Sequence, residues 1–495
     1  MIVGVDFGTT NSLVAYVGPK CKLEIIPNER GSRLTPSVVY FKNEKQVLVG
    51  ELARSQMLAR PEQTILKVKR KMGTGHRYKV FGRDYTPSEI GGLILRKLKN
   101  YASDFLGKEV KQAVITVPAY FDDNQRQGVL HAARLAGIEV VKLLNEPTAA
   151  ALAYGVHTKN EKTVLVLDFG GGTFDITLMK HSEGLFEVIT TGGSTELGGS
   201  DFDEVLARWV VETVRETNGV DLATDPIALQ QVYNHVERAK IDLSSVEETN
   251  IVIPYIAMSP NGPIHINLNL SRSQFEHLTK ELLKRTEELI LTTLEESQTG
   301  AEDVDVVVLA GGTSRMPAFR SIVCSLLPKA EIKSEINPDE VVALGAAIQA
   351  AVLEGKIRNI ELKDVLPHSL GVLDDDGEFV PIIERDSTYP TSAAKIFTNA
   401  YDDQDYVEIR ILQKRRGTLV DLGNFRFTSK KKWKKNEANI AVTFQINQNG
   451  VLEVSAEDLD TNEVAEVTIT GGVFGGGNQN DGEMLERRGT DLEVI

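Results

Sequence analysis

Two stretches of the chain, residues 2–15 (IVGVDFGTTNSLVA) and 165–177 (LVLDFGGGTFDIT), decide what kind of fold it makes. Each runs from an apolar strand through an aspartate, Asp6 or Asp168, into a turn rich in glycine and threonine. Residues of period two follow each turn, so the chain returns as a second strand and not as a helix. A hairpin here excludes a dinucleotide-binding βαβ unit, and a repeat about 160 residues apart indicates two similar lobes, because solenoid repeats are far shorter.

The length and composition are those of a multidomain globular protein. The chain has 495 residues, of which 41% are hydrophobic and 25% charged, and roughly 150 residues per domain predicts about three domains. Lys and Arg number 55 against 70 Asp and Glu, and the net charge of -15 argues against DNA as a main ligand. We predict a cytoplasmic protein, because the chain has only two cysteines, no basic leader and no apolar run long enough for a membrane span.

Between and after the two hairpins the pattern alternates helix and strand. Residues 86–89 (TPSE) form a capping box that opens a helix, and the pair Asp225-Pro226 opens another. Near-continuous apolar runs at 113–118 and 304–312 are typical of strands in a sheet that is covered on both faces. We therefore expect two α/β lobes over residues 1–355.

The character of the sequence changes after the second lobe. Residues 356–364 are mixed and without period, and they predict a linker. Apolar and polar residues then alternate, for example over 440–446, and residues 447–450 (NQNG) predict a hairpin turn. We expect an all-β domain over residues 365–470 and a glycine-rich, acidic, disordered tail over 471–495.

The two turns are suited to bind phosphate and a metal ion. Glycine lets backbone N–H groups approach phosphate oxygens, threonine hydroxyls add donors, and the carboxylates of Asp6 and Asp168 can hold the waters of Mg²⁺. A third glycine pair, Gly311 and Gly312, would let a flat ligand lie against the backbone, with Arg315 stacked on a base. A protein kinase is disfavoured because no HRD motif occurs, and a Walker A loop because neither Gly-Lys pair precedes Ser or Thr.

These segments resemble the signature segments of the seventy-kilodalton heat-shock chaperones of the DnaK type. The matching segments are residues 6–12 (DFGTTNS), 145–155 (NEPTAAALAYG), 168–175 (DFGGGTFD) and 308–317 (VLAGGTSRMP). The resemblance runs from the first residue to about residue 470. It implies an α/β, actin-like nucleotide-binding domain of two lobes, of the sugar-kinase and heat-shock ATPase superfamily, followed by an all-β sandwich that binds peptides.

The resemblance also implies a role for individual residues of the nucleotide site. Asp6 and Asp168 would anchor hydrated Mg²⁺, and the Lys69 ammonium would lie near the γ-phosphate, where Glu146 and Asp175 orient water. The catalytic residues would be Lys69, Glu146, Asp175 and Thr173. The nucleotide would be bound by Gly8, Thr9, Thr10, Asn11, Gly170, Gly171, Gly172, Thr173, Gly198, Gly199, Ser200, Asp201, Glu237, Lys240, Ser244, Gly311, Gly312, Thr313, Arg315 and Asp339. Without the resemblance, Lys69 reads as a surface lysine and the stripe Glu237, Lys240 and Ser244 as a solvated helix face.

Other positions match residues that couple the two halves of such chaperones. The allosteric set would be Pro118, the switch proline, Arg126, the relay arginine, and the linker residues Ile360, Leu362 and Asp364. This linker alternates apolar and charged residues, so we expect weaker docking on the ATPase lobe than is usual. The peptide channel would be lined by Val372, Ile396, Phe397, Ala400, Val407 and Ile409, although such residues in a sandwich are more often core than ligand contacts.

Three features depart from the family pattern. Asp375 stands where relatives carry a methionine that arches over the peptide. Residues 430–435 (KKKWKK) are unusually basic, and they form either a solvated loop or a contact for an acidic client, RNA or anionic lipid. Relatives continue with a helical lid, and the 25 residues after Thr470 are too few for it. We therefore expect bound peptide to leave quickly even with ADP, through a faster off-rate.

The sequence as a whole predicts an ATP-dependent molecular chaperone, an ATP hydrolase whose β domain binds unfolded or extended polypeptides. Its cofactors would be ATP or ADP and Mg²⁺, with K⁺ left open, and its partners polypeptide clients, a J-domain co-chaperone and a nucleotide exchange factor. Two alternatives stay open, an ATP-switched binding module for specific partners and a small-molecule kinase of the same superfamily. Stimulation of ATP turnover by an unfolded polypeptide and a J-domain protein would favour the chaperone.

Overall fold

The computed structural model describes residues 1–155, 161–260, 262–373, 377–415, 417–466 and 492–495. The first lobe contains, in chain order, β1 (Ile2–Asp6), β2 (Asn11–Val17), β3 (Leu23–Ile26), β4 (Thr35–Pro36), β5 (Val39–Phe41), β6 (Gln46–Val49), α1 (Glu51–Gln56), β7 (Thr64–Ile65), β8 (Tyr78–Val80), β9 (Arg83–Tyr85), α2 (Pro87–Leu106), β10 (Gln112–Val117), α3 (Asp123–Leu135), β11 (Glu139–Asn145) and α4 (Glu146–Gly155).

The opening hairpin forms the middle of the first lobe's main sheet. β1 and β2 are antiparallel, β1, β10 and β11 are parallel, and the strand order is β11–β10–β1–β2–β3. The predicted hairpin is therefore confirmed. The predicted capping box at the start of α2 is also confirmed, because Glu89 N donates to Thr86 Oγ1 at 3.1 Å and Thr86 N to Glu89 Oε2 at 2.7 Å.

The second lobe repeats this plan. It contains β12 (Lys162–Phe169), β13 (Phe174–Ser182), β14 (Leu185–Ser194), α5 (Gly199–Asn218), α6 (Pro226–Asp242), β15 (Glu248–Ser259), β16 (Gly262–Ser271), α7 (Arg272–Leu278), α8 (Lys280–Glu296), β17 (Val306–Ala310), α9 (Pro317–Leu326), β18 (Glu331–Lys333) and α10 (Val341–Leu353). β12 and β13 form the second predicted hairpin, and β12, β17 and β18 run parallel. The helix predicted from the Asp225-Pro226 pair is α6, whose first turn is capped by the Asp225 side chain. The second lobe therefore presents its Gly/Thr turn at the same kind of strand end as the first.

Alternating strands follow the second lobe. They are β19 (Glu361–Val365), β20 (Ser369–Leu373), β21 (Phe379–Ile383), β22 (Thr388–Tyr389), β23 (Thr391–Phe397), β24 (Gln404–Arg415), β25 (Thr418–Trp433), β26 (Ile440–Ile446), β27 (Leu452–Asp458) and β28 (Glu463–Glu466). Two sheets, ordered β21–β20–β24–β25 and β23–β26–β27–β28, contribute apolar side chains to one shared core. The turn predicted at residues 447–450 joins β26 to β27.

The second half of the predicted linker, residues 361–364, forms most of a strand that has a partner on each side. β19 pairs in parallel with β14, with Leu362 opposite Phe186, and β22 pairs with the other side of β19. Ile360 and Leu362 pack, half-buried, against an apolar cluster that β12, β14, α4 and α10 share. The linker is thus docked on the second lobe, and how strongly it is held stays a prediction.

The β domain also contacts both lobes directly. Leu452 N donates to Asp123 Oδ1 at 2.8 Å, and Asp123 N donates to Gln413 Oε1 at 3.1 Å, at the start of α3 in the first lobe. Arg385 pairs with Glu296 of the second lobe at 2.8 Å. The β domain is therefore in contact with both lobes.

The end of the predicted disordered tail is ordered. Residues 471–491 lie outside the described residues, but Glu493–Val494 forms β29, which adds to β6 of the first lobe. The prediction of disorder over 471–495 is therefore wrong for its last residues. The prediction rested on glycine content and charge, whereas Leu492 and Val494 at the end of the chain pack against an apolar cluster of the first lobe.

Candidate functional site

A cavity of about 750 Å³ lies between the two lobes, which is within the range typical of small-molecule sites. The predicted residues that line it are Asp6, Gly8, Thr9, Thr10, Asn11, Lys69, Glu146, Asp168, Gly170, Gly171, Gly172, Thr173, Ser200, Glu237, Lys240, Ser244, Gly311, Gly312, Thr313, Arg315 and Asp339. Four others, Asp175, Gly198, Gly199 and Asp201, lie outside its lining. The structure therefore brings together residues that are up to 333 positions apart, from Asp6 to Asp339.

The two Gly/Thr turns face each other across this cavity. A Cβ atom on Gly171 would lie 2.2 Å from Thr10 Oγ1, and one on Gly172 would lie 2.6 Å from Thr9 Oγ1. Only glycine fits at such a close approach, and backbone N–H groups of such turns are suited to bind anions. The symmetry of the two hairpins thus produces one cradle made from both lobes.

A buried lysine lies among carboxylates at the base of the cavity. Lys69 is 2% exposed, and its Nζ donates to Glu146 Oε1. The Lys69 ammonium lies 5.8 Å from the ring centroid of Phe7 and 5.9 Å from that of Phe121, so two aromatic rings fix its position. This burial contradicts the interpretation of Lys69 as a surface lysine.

Three aspartates surround this ion pair. Asp168 and Asp175 lie opposite each other in the β12–β13 hairpin, and Asp6 Oδ1 accepts from Thr116 Oγ1 at 3.3 Å. Burial, and next the Glu146 charge, raise the pKa of Asp6 and that of Asp175 to about 7, and the pKa of Asp168 well above its usual value. The site therefore holds more negative than positive charge, and it favours a cation.

The donor set fits a hydrated divalent cation. Among the described residues, no three His, Cys, Asp or Glu side chains come close enough together to bind one metal ion directly. Mg²⁺ dehydrates reluctantly and commonly keeps several waters, so separated carboxylates such as Asp6 and Asp168 are suitable partners. The chemistry of these oxygen donors is thus compatible with the predicted Mg²⁺.

The far end of the cavity is lined by the second lobe. Lys240 Nζ donates to Gly199 O at 2.8 Å and pairs with Asp203 at 2.7 Å. Arg315 Nη2 pairs with Asp339 Oδ2 at 2.6 Å, so its guanidinium is held at the cavity rim. Stacking of Arg315 on a base stays a prediction.

The four residues outside the lining lie behind it. A Cβ atom on Gly198 would lie 2.6 Å from Gly172 N, so Gly198 packs against the turn. Gly199 N donates to Gly170 O at 3.0 Å. Gly198 N donates to Asp201 Oδ2 at 2.7 Å, which caps α5. These residues shape the turn from behind, as Asp175 does from its place opposite Asp168.

Sequence reasoning missed two residues that organise the site. Arg70 of the first lobe donates through Nη2 to Gly172 O at 2.7 Å and through Nη1 to Asp201 Oδ1 at 3.2 Å, which joins the two lobes. Asp203 holds the ammonium of Lys240. The signal for Arg70 was its position next to Lys69, whereas Asp203 lies in an ordinary amphipathic helix and carries no local signal.

Two of the predicted coupling residues, Pro118 and Arg126, lie in the first lobe near its contact with the β domain. Pro118 is buried at the end of β10, and Phe121 N donates to its carbonyl at 3.2 Å. Arg126 donates to Asn145 Oδ1 at 2.7 Å, next to Glu146, and to Asn449 O of the β domain at 3.4 Å.

The linker aspartate also reaches this region. Asp364 is buried and accepts from Thr148 Oγ1 at 3.3 Å. Burial raises its pKa, and the nearby Arg126 charge opposes that change. Asp364 and Arg126 therefore interact electrostatically across the junction of the linker and the first lobe.

The predicted peptide-binding residues divide into two groups. Val372, Val407 and Ile409 belong to the core between the two sheets of the β domain and are closed to a peptide in this conformation. Ile396 is 60% exposed on β23, where Phe397 is half-buried and Ala400 is exposed just beyond the strand. Three of the six predicted peptide-binding residues are therefore core residues in this structure. Asp375, which stands where relatives carry the arching methionine, lies outside the described residues.

The basic run near the end of β25 is partly neutralised. Lys431 pairs with Glu437 at 2.8 Å and Lys430 with Glu463 at 3.4 Å, while Trp433 is buried in the core of the β domain. The interpretation as a solvated loop is therefore wrong for residues 430–433, which belong to β25, although the lysine side chains of the run are exposed.

The family described as Hsp70 protein matches residues 2–83 and 74–488. The chain belongs to the Hsp70 family. It is similar to the chaperone protein DnaK of Thermosipho africanus (strain TCF52B) and of Thermotoga petrophila (strain ATCC BAA-488 / DSM 13995 / JCM 10881 / RKU-1), each 44% identical, over 478 and 479 residues respectively. Both alignments cover 95% of this chain and 80% of the relative.

Membership of the Hsp70 family confirms the predicted activity. The protein is an ATP-dependent molecular chaperone that hydrolyses ATP, and ATP and ADP are its ligands. Among the residues that the structure describes, no helix has the length and hydropathy needed to cross a membrane.

Proposed function

We propose that the cavity between the lobes is the ATPase site of this Hsp70 protein, and that the two lobes have the actin-like fold. The observation that carries the proposal is the pairing of the two Gly/Thr turns over the buried group of Lys69, Glu146 and the three aspartates. Phosphates would lie against the turns, and the adenosine against the wall that contains Lys240 and Arg315.

Each charged group at the base of the cavity has a distinct task in this proposal. Asp6 and Asp168 hold hydrated Mg²⁺, which when bound offsets negative charge on the phosphate oxygens. Lys69 stabilises the charge that develops on the γ-phosphate, and Glu146, which lines the cavity, orients the attacking water. Asp175 would help to orient that water from behind the lining. Because the rings of Phe7 and Phe121 and the Glu146 carboxylate fix the ammonium, little reorganisation is needed during the reaction.

Nucleotide state would reach the β domain through Pro118, Arg126 and the linker. Arg126 contacts both Asn145, beside Glu146, and the β domain, so a shift of the lobes changes its contacts at both ends. Depending on the nucleotide, the linker strand β19 would then either leave β14 together with the β domain or stay paired with it. In this scheme the β domain binds unfolded or extended polypeptides, and a J-domain co-chaperone and a nucleotide exchange factor act on the cycle in the cytoplasm.

The two alternative functions differ in what they require of the chain. A small-molecule kinase does not need a β domain, whereas the family match extends to residue 488 and includes it. An ATP-switched module for specific partners uses the same coupling path. It differs only in client range, and ATP turnover with and without an unfolded polypeptide and a J-domain protein separates it from a general chaperone.

The ATPase proposal is tested by Lys69→Ala, with Lys71→Ala as the matched control. Lys71 is an exposed lysine on the same short 3-10 segment, Val68–Lys71. We expect single-turnover hydrolysis to fall by about 100-fold or more in Lys69→Ala, with the nucleotide Kd within about threefold of wild type. Lys71→Ala should change neither value.

A loss of nucleotide binding in Lys69→Ala would contradict the assignment, because it would place the lysine in ground-state binding. Removal of Lys69 leaves the Glu146 carboxylate buried without its cation, which can reduce folding stability. The double variant Lys69→Met with Glu146→Gln removes both charges. It should also fail to hydrolyse ATP while it still binds nucleotide, so a folding defect is distinguished from a catalytic one.

A further inference from the structure

Residues 492–495 lie as an added strand on the first lobe, although they follow the β domain in the chain. β29 runs parallel to β6, with Glu493 opposite Gln46 and Val494 opposite Val47. Ile495 N donates to Val47 O at 3.0 Å, and the Gln46 side chain donates to Glu493 Oε2 at 2.9 Å. Gln46 and Glu493 are 447 positions apart, so this contact depends on the tertiary structure alone.

Leu492 anchors this strand in the core of the first lobe. It is 6% exposed and belongs to the apolar cluster built by β1, β5, β6 and α2. Arg96 of α2 donates to Leu492 O at 3.2 Å and to Leu135 O at 3.1 Å, so the guanidinium bridges the segment and the lobe. The main chain of the anchor residue is therefore bound as well as its side chain.

The segment has the alternation of a half-buried strand. Val494 packs, half-buried, against the same apolar cluster, whereas Glu493 and Ile495 are exposed. A segment that binds here therefore needs an aliphatic side chain at its first and third positions, those of Leu492 and Val494. At its second position, that of Glu493, it needs a side chain that can accept a hydrogen bond from Gln46.

β6 has the properties of a strand that accepts a peptide. Within the described residues its sheet is ordered β29–β6–β5–β7, so without β29 one side of β6 would be an open edge. Open edges present unpaired N–H and C=O groups, and addition of an extended segment to such an edge is a common way to recognise peptides. Main-chain hydrogen bonds supply affinity there, and alternate side chains supply specificity.

We propose that the β6 edge and the Leu492 pocket of the first lobe form a second peptide-binding site, separate from the β domain. It takes a short extended segment of the pattern leucine, hydrogen-bond acceptor, aliphatic residue, in parallel orientation to β6. The chain's own residues 492–495 occupy the site in cis. Because these residues bind within their own chain, a free segment of the same pattern competes poorly until residues 492–495 are released.

The test uses the full chain with Leu492→Asp, which places a charge in the apolar pocket, and with Ile495→Asp as the matched control. Ile495 is 39% exposed, so the same substitution there leaves the pocket intact. By hydrogen exchange, the amides of Glu493 and Ile495 should exchange at least tenfold faster in Leu492→Asp than in wild type, and in Ile495→Asp they should stay protected. Equal exchange in the two variants would overturn the anchor role of Leu492.

A labelled peptide of residues 489–495 (GTDLEVI) then tests the site in trans by fluorescence anisotropy. It should bind the Leu492→Asp chain at least tenfold more tightly than the wild-type chain, and a peptide carrying Leu492→Asp should bind neither. Unchanged ATP turnover of the Leu492→Asp chain shows that it is folded. Equal affinity for both chains, or no binding to a folded Leu492→Asp chain, would overturn the proposal.

A charge exchange locates the bound peptide. Gln46→Glu in the Leu492→Asp chain places a carboxylate opposite Glu493 of the peptide, and it should weaken binding about two- to fivefold, with recovery when the peptide carries Glu493→Lys. No recovery would mean that the peptide binds elsewhere, for example in the β domain. Loss of amide protection on dilution of the wild-type chain would overturn the cis assignment, because the occupant would then come from a second copy.

Discussion

The turn between β26 and β27 inserts into the first lobe, and its residue Asn449 gives the most direct test of β-domain docking. Asn449 Oδ1 accepts from Leu143 N at 2.9 Å, and Leu143 is 1% exposed. Asn449→Ala leaves that amide buried without a partner in the docked state, whereas in the undocked state water can bind it. An unsatisfied buried donor costs about 1 to 3 kcal/mol, so we expect docking to weaken roughly 5- to 150-fold.

Hydrogen exchange measures this change, because docking also protects the linker strand. In the ATP-bound protein, the amides of β19 and of Leu143 should exchange faster in Asn449→Ala by the same factor. The matched control is Asn439→Ala, which removes an exposed asparagine of the β domain whose side chain bonds only Asp460 among the contacts described. If Asn449→Ala and Asn439→Ala exchange alike, the Leu143 hydrogen bond does not hold the two halves together.

Three further changes test the cavity and the interface. Gly311→Ala should weaken nucleotide binding by more than tenfold, because Gly311 has a φ of 76° and a Cβ there would lie 2.3 Å from Phe169 O; calorimetry that finds wild-type affinity would contradict this. Burial holds the pKa of Asp123 at about 7 in the docked protein, and an exposed aspartate titrates near 3.9. The docked state thus binds more protons, so the docking equilibrium constant of wild type, divided by that of Asp123→Asn, should fall as pH rises from about 4 to 7. If this ratio does not change with pH, the prediction is wrong. Arg54→Ala breaks a 3.1 Å pair with Glu237 across the cleft. Because both side chains are partly exposed, ADP release measured by stopped flow should accelerate less than about fivefold. A larger acceleration would show that this ion pair holds the cleft closed more strongly than its exposure suggests.

The residues of the candidate ATPase site show how much of it can be predicted from local sequence. The residues of the two Gly/Thr turns are predictable because a hairpin makes its hydrogen bonds between neighbours in the chain. Their pairing across the cleft follows from the repeat. Burial of Lys69 is different, since it depends on Phe7, Phe121 and Glu146, which come from other parts of the first lobe.

The β domain shows the limit of periodicity. Alternation places Val407 and Ile409 on one face of β24, but it does not say whether that face meets a second sheet or a bound peptide. The structure places both side chains in the core, because the sheet that contains β26 and β27 covers them.

By itself, the sequence determined the two hairpins, the capped helices, the change to alternating strands and the residue types of a phosphate site, since each depends on residues close together in the chain. Only the tertiary structure decided that Arg70 joins the lobes, that Asn449 enters the first lobe and that Leu492 anchors a strand beside β6. These contacts join residues from 102 to 447 positions apart. Their free energy comes from surfaces that exist only after the lobes have folded and packed, so no local pattern of residues encodes them.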